Sequence, residues 1–122
     1  MVWGGATGLY TNVDIRSKMI KRIVFLADTL DQIRSFPFDV RKDVGTELRR
    51  VQKGVEPMDW KPMKTVGVGV REIRVRDATG AFRIIYVLSK ADVIYVLNAF
   101  QKKSQKTPKH ELALAALRLK QV

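Results

Sequence analysis

The sequence contains no cysteine and a single histidine in its 122 residues. Without a thiol there is no disulfide framework and no thiolate nucleophile, and a lone histidine does not make a zinc site of the usual kinds. No metal and no cofactor is expected. No apolar run approaches the ~20 residues that span a bilayer, so no membrane partner is expected either. The opening, MVWGGATGLY, has no basic stretch leading into an apolar one, so it does not read as a secretory signal and the expectation is a cytoplasmic protein. Also missing are a Gly-rich phosphate loop, a Ser–His–Asp set and a close carboxylate pair. GVGVRE is too short for a nucleotide motif and lacks the strand–turn–helix context. The most telling scarcity is of acids: none lies between Asp92 and Glu111.

What is present is ordinary in bulk and lopsided in charge. Hydrophobic content of 46% with 29% charged residues is that of a globular domain, and the length suits one core. The formal net charge is +11. Residues 28 to 59 hold seven acids and six bases, whereas from Trp60 onward thirteen bases face four acids. Such asymmetry points to a phosphate-rich or acidic partner; the alternative is a solvated lysine face that only aids solubility. The stretch VIYVLNAFQKKSQKTP, residues 93 to 108, concentrates it. A strand-forming run ends at Phe100, and Lys102, Lys103, Lys106 and Lys109 follow.

Residues 1 to 18 look foreign to the rest, and Met19 is followed at once by IKRIVFL, so they are expected to be a loose or non-native extension of a domain spanning 19 to 122. Ile20 to Ala27 reads as a first strand. Asp28 is placed to cap a short helix carrying Leu30, Ile33 and Phe36 inward, and Pro37 breaks it. Asp39 is placed to cap a second helix whose Val40, Val44, Leu48 and Val51 form an amphipathic stripe. Gly45 inside it costs about 1 kcal/mol against Ala, for which a close packing contact is the expected reason. Gly54 reads as the C-cap. Glu56 to Gly69, with two prolines and two glycines, reads as irregular.

From Val70 the period becomes two, with Ile73 and Val75 on one face and Glu72, Arg74 and Arg76 on the other. DATG and Lys90 to Asp92 are turns joining this strand to Ala81–Ser89 and then to Val93–Phe100, a three-stranded antiparallel meander. Its last two strands are apolar on both faces and should be central. Thr107 is placed to cap a final helix beginning at Pro108. With the first strand added to the sheet, the fold class is α+β: a twisted antiparallel sheet, an N-terminal helical hairpin packed on it, and a C-terminal helix.

The residues left for chemistry are cations and hydroxyls at sheet ends: Arg71, Arg74, Arg76, Arg83, Tyr86, Lys102, Lys103 and Lys106. Such a set suits RNA binding and cleavage, where a base activates the 2′-OH, a cation stabilises the charged phosphorane and an acid protonates the leaving 5′-oxygen. Lysine can act as the base if neighbouring cations depress its pKa, as a Lys102–Lys103–Lys106 cluster would. Arginine is the better clamp, being bidentate and permanently charged. Each has a plainer alternative. Arg83 points into a site or pairs with Glu72; Arg74 pairs with Glu72 or Asp77; Tyr86 and Phe100 are core; Arg76 and His110 are surface.

The segment VREIRVRDATGAFRIIYVLSKADVIYVLNAFQKKSQKTPKHELALA resembles the RelE/ParE superfamily of type II toxin–antitoxin toxins, specifically the HigB-like, phage-derived branch. The residues that carry it are Arg71-Glu72-Ile73-Arg74, Gly80, Arg83 and Tyr86, then Phe100-Gln101-Lys102-Lys103 and Lys106-Thr107-Pro108. The likeness spans about Met19 to Lys120. It implies a RelE-like fold and a toxin that stops translation by cleaving mRNA on the ribosome, held inactive by a helix-turn-helix antitoxin of the HigA/Xre kind. The ribosome and mRNA are then further partners. It implies that Arg71, Arg74 and Arg83 bind phosphate, that Lys102, Lys103 and Lys106 form a basic segment near the site, and that Tyr86 is an active-site aromatic. The expected catalytic set is Arg74, Arg83, Lys102, Lys103 and Tyr86, with Arg71, Arg76, Lys64, Lys106 and Lys109 contacting RNA. Two alternatives stand beside it: a ParE-like poison of DNA gyrase, and an inactive member that works only in an antitoxin repressor complex.

Overall fold

In a computed structural model, which describes residues 20–122, the chain forms a five-stranded sheet with helices on both faces. Chain order is β1 (Arg22–Phe25), α1 (Thr29–Arg34), α2 (Phe38–Gln52), β2 (Trp60–Pro62), β3 (Val70–Asp77), β4 (Gly80–Leu88), β5 (Val93–Lys102) and α3 (Lys109–Leu119). The sheet order is β1-β5-β4-β3-β2. The meander is antiparallel as expected, with β4 and β5 central, while β1 joins β5 in parallel. The α+β class and the arrangement of helices hold. The expected extension over residues 1 to 18 lies outside the described residues.

Side chains alternate across a strand, so each face of the sheet needs its own cover. On one face the α2 stripe of Val40, Val44, Leu48 and Val51 packs with Ile33 and Phe36 of the hairpin against Ile73, Val75, Phe82, Ile84, Tyr86, Ile94, Val96 and Ala99. Each fully buried valine or leucine there contributes about 1.5–3 kcal/mol. On the other face Val70, Ile85, Val87, Leu97 and Phe100 meet Ala115 of α3, with Leu112, Ala116 and Leu119 partly buried against them.

Several helix ends differ from the sequence reading. Pro37 and Pro108, at φ −54° and −57°, occupy the N-cap positions of α2 and α3, and no side chain caps either helix. The fixed ring places the chain on entry, and Asp39 sits inside the first turn instead of capping it. Asp28 holds the N-cap position of α1 without making a cap bond. Its carboxylate accepts from Gln32 and from Arg118 of α3 instead. Gly54 does close α2: at φ +81° its N–H reaches the Val51 carbonyl while the Val55 N–H reaches that of Arg50. That pair is a Schellman motif.

The stretch from Glu56 to Gly69 is not wholly irregular, since Trp60–Pro62 pairs with Arg71–Ile73 as an edge strand. An edge position tolerates Pro62 because its missing N–H leaves no ladder partner stranded. Nor does Gly45 mark a close contact: nothing lies within 4 Å of where its Cβ would be. Gly45→Ala should therefore raise stability by about 1 kcal/mol, the plain helix-propensity difference. Chemical denaturation checks this, and a loss of stability would show a contact at that position.

Candidate functional site

Register divides the candidate residues between the two faces. Arg74 lies opposite Arg83, and Glu72 opposite Ile85 and Lys61. These side chains share the α3 face. Arg71 lies opposite Tyr86, three residues from Arg74 and Arg83 respectively, and so projects from the hairpin face. The sequence-based set is therefore two sets.

On the α3 face the centre is a buried carboxylate between two guanidiniums. Glu72 is 1% exposed, and its Oε1 lies 3.5 Å from Nε of Arg74 and 3.5 Å from Nε of Arg83. Both plainer alternatives for these arginines are thus realised at once. Asp77 instead accepts from the Thr79 hydroxyl and backbone in the β3–β4 turn, and these bonds hold its carboxyl below the usual range. Arg83 is nearly buried, with Nη1 donating to the Phe82 carbonyl at 3.1 Å. Burial pushes its guanidinium below its ordinary value, Glu72 pulls it back, and Arg74 and Arg76 push it down again. An arginine so placed remains a cation at neutral pH. The Arg74 side chain is 35% exposed, and among the described residues nothing accepts from its terminal nitrogens, which face outward as an open fork.

A β-bulge decides which lysine joins this face. The β4–β5 register slips between Ile85 and Tyr86, leaving Leu97 as the extra residue. Ile94 and Val96 pack on the hairpin side and Tyr95 and Leu97 on the α3 side; after the slip Ala99 is on the hairpin side and Phe100 on the α3 side. The parity has flipped. Lys102, opposite Ala81 and in the row of Arg76, therefore falls beside the arginines. Its ammonium donates to the Gln105 carbonyl. Lys103 instead lines a shallow cavity with Gln32, Ser35 and Phe36 at the hairpin. Lys106 and Lys109 are exposed on the loop and first turn leading into α3, and Lys64 is exposed in the turn after β2. The expected lysine cluster is spread over these places. Bulges commonly re-aim side chains in this way beside functional sites.

On the hairpin face, Arg71 stacks over the Trp60 ring at 4.0 Å and pairs with Glu56 at 3.5 Å. With Tyr86, Val51, Val55 and Leu88 it lines a separate cavity of about 420 Å³. Burial pushes the Tyr86 phenol above its usual value, and Arg71 beside it offsets part of that.

Sequence reasoning missed three residues, one on the site's face and two that hold α3 in place beside it. Lys61 stands on the same face as Glu72, hidden in a strand too short to show a period. Asn98 Nδ2 donates to both the carbonyl and the carboxylate of Glu111, at 2.9 and 3.0 Å. Arg118 donates to the Leu97 carbonyl at 3.0 Å and to Asp28 at 3.1 Å, so α3 is clamped to the edge of β5 beyond the end of β1. A lone polar residue in an apolar strand was the available signal for Asn98; nothing local marks Arg118.

The family described as Phage derived protein Gp49-like matches residues 31–120. The chain belongs to that family. Its fold is that of the RelE toxins: the E. coli toxin RelE, as a double arginine-to-alanine mutant in the free state, aligns with a TM-score of 0.61 at 16% identity, over 83% of this chain and 98% of its own. The RelBE2 toxin–antitoxin complex from Mycobacterium tuberculosis and the intact E. coli RelBE complex score 0.48 and 0.47, at 16% and 11% identity. They cover 68% and 69% of this chain and 99% of each of theirs. No curated protein matches. Among the described residues, no helix is long and apolar enough to cross a membrane.

The raised Tyr86 pKa has a testable sign. The fold favours the neutral phenol, so that contribution to stability is present below the unfolded phenol's value of about 10 and is lost as pH rises through the folded value. In ultraviolet absorbance titration, Tyr86→Phe should remove an ionisation that lies above the ordinary phenol value. Persistence of that step would contradict the assignment.

Proposed function

We propose that this protein is a ribosome-dependent endoribonuclease toxin acting in the cytoplasm, neutralised by an antitoxin of the helix-turn-helix, HigA/Xre kind. The observation that carries the reading is the open fork of Arg74 beside buried Arg83, on a face that also presents Lys61, Arg76 and Lys102. Family membership and the RelE toxin fold support it.

The chemistry is a transesterification. The ribose 2′-hydroxyl gives up its proton to a base as its oxygen attacks phosphorus. The bond from phosphorus to the 5′-oxygen breaks, and that oxygen takes a proton from an acid, so a 2′,3′-cyclic phosphate and a 5′-hydroxyl result. Charge builds on the non-bridging oxygens as the phosphorane forms. Fixed donors in a partly dried site stabilise that charge more than water does, because they need not reorient. Arg74 offers two parallel N–H donors that fit two phosphate oxygens, and Arg83 supplies a second cation from beneath. Lys102 and Arg76, flanking small Ala81, carry positive charge along the exit of the strand path. The remaining lysines extend the attraction for an RNA backbone.

A gyrase poison needs no such clamp. The deciding experiment is translation with purified protein followed by primer extension on the mRNA, with and without ribosomes. In-frame cuts that require ribosomes are expected; intact mRNA and normal translation would contradict the proposal. Arg74→Ala should lower cleavage by roughly 10²–10³-fold while leaving the fold intact. Arg71→Ala, on the opposite face, should cleave at close to the wild-type rate. Equal losses in both would show that the two faces do not differ in role.

A further inference from the structure

Building on that reading, we propose that Glu72 is a positioning residue for the cleavage step, acting on phosphate through Arg74 and Arg83. Three observations lead here. The first is that, apart from the two arginines, the surroundings do not call for a carboxylate. Val70, Ile85, Val87 and Leu97 on the same face are buried and apolar, and an apolar side chain at position 72 would continue that packing. Buried ion groups are often no more stabilising than apolar replacements, so their presence calls for a reason other than stability.

The second is that the group is not optimised for itself. Both Nε–Oε1 separations are 3.5 Å, neither Nε makes a hydrogen bond, and Glu72 Oε2 is buried without a partner. A network serving only the fold would be expected to close these bonds. Catalytic contacts are commonly long before substrate binds and tighten when it does.

The third is direction. With Arg83 buried and its Nη1 tied to the Phe82 carbonyl, the terminal nitrogens of the more exposed Arg74 are the ones most open to a ligand. One carboxylate shared by two guanidiniums leaves a net charge of +1, enough to attract a phosphate while allowing the cations to lie close together. Glu72 holds the fork for the transition state at the cost of some ground-state attraction.

This separates binding from turnover. Glu72→Gln keeps the shape and removes the negative charge. It should lower the cleavage rate at saturating ribosome concentration by roughly 10²-fold, the scale of a small misplacement, while the half-saturating concentration stays level or falls. Glu72→Asp keeps the charge but withdraws it by one methylene; it should fold and show the same loss of saturating rate. In an Arg74→Ala background either change should cost less than it does in the wild-type protein, because one of the two arginines through which Glu72 acts is gone.

The assay is ribosome-programmed mRNA cleavage over a range of ribosome concentrations, with circular dichroism melts on each variant. Folded Glu72 variants with the wild-type saturating rate would overturn the inference. So would a raised half-saturating concentration with unchanged rate, or a full additive loss in the Arg74→Ala background. Wild-type protein that cleaves nothing would instead overturn the functional reading and this inference with it.

Discussion

Two guanidiniums share one buried carboxylate in this molecule, and the architecture of the α3 face follows from having to accommodate them. Taking charges out of water costs several kcal/mol per ion before their mutual attraction is counted. Glu72 is tolerated at 1% exposure because cations stand on the neighbouring positions of its own strand and of β4. Arg83 is tolerated because it has both that carboxylate and the Phe82 carbonyl. Removing Glu72 leaves buried Arg83 without a carboxylate, whereas removing Arg74 leaves the Glu72–Arg83 pair in place. The group is therefore best viewed as a unit in which Arg74 is the exposed end.

The rest of the fold keeps that unit rigid and oriented. The helical hairpin covers one face with an apolar stripe, which leaves the opposite face for charge. The bulge in β5 rotates the end of the strand so that Phe100 lies opposite Arg83 and Lys102 opposite Ala81. Helix α3 closes the remaining apolar patch, and Asn98 and Arg118 hold it in place without using the functional cations. Structural and functional charges are thus carried by different residues: Arg118 and Asp28 in the clamp, Glu72, Arg74 and Arg83 in the site.

Much of this was legible in the chain. The stripe at Val40, Val44, Leu48 and Val51, the alternation from Val70, and two short turns specify a hairpin on a meander, and the central strands were recognisable because they are apolar on both faces. Three things were not. Trp60–Pro62 is too short to show a period and contains the residue least suited to a strand. The bulge leaves no trace because a slip of one in a strand apolar on both faces changes no hydrophobic pattern. The helix starts were misplaced because proline geometry took the cap positions that Asp39 and Thr107 were expected to fill. The separation of Arg71 and Tyr86 from Arg74 and Arg83 is different in kind. A spacing of three along a strand puts residues on opposite faces, so strand parity alone already separated them; grouping cations and hydroxyls by chemistry, and the family resemblance after it, had put them together.

The central claim is that the face bearing Glu72, Arg74 and Arg83 is the working face. It is tested most directly by determining the structure of the protein on a ribosome carrying mRNA with 2′-O-methyl groups at the A-site nucleotides, which blocks the attack without altering the phosphates. The account predicts the scissile phosphate against the terminal nitrogens of Arg74, with the mRNA running past Lys102 on the α3 side of the sheet. A phosphate seated instead against Arg71 and Tyr86, on the hairpin side, would contradict it.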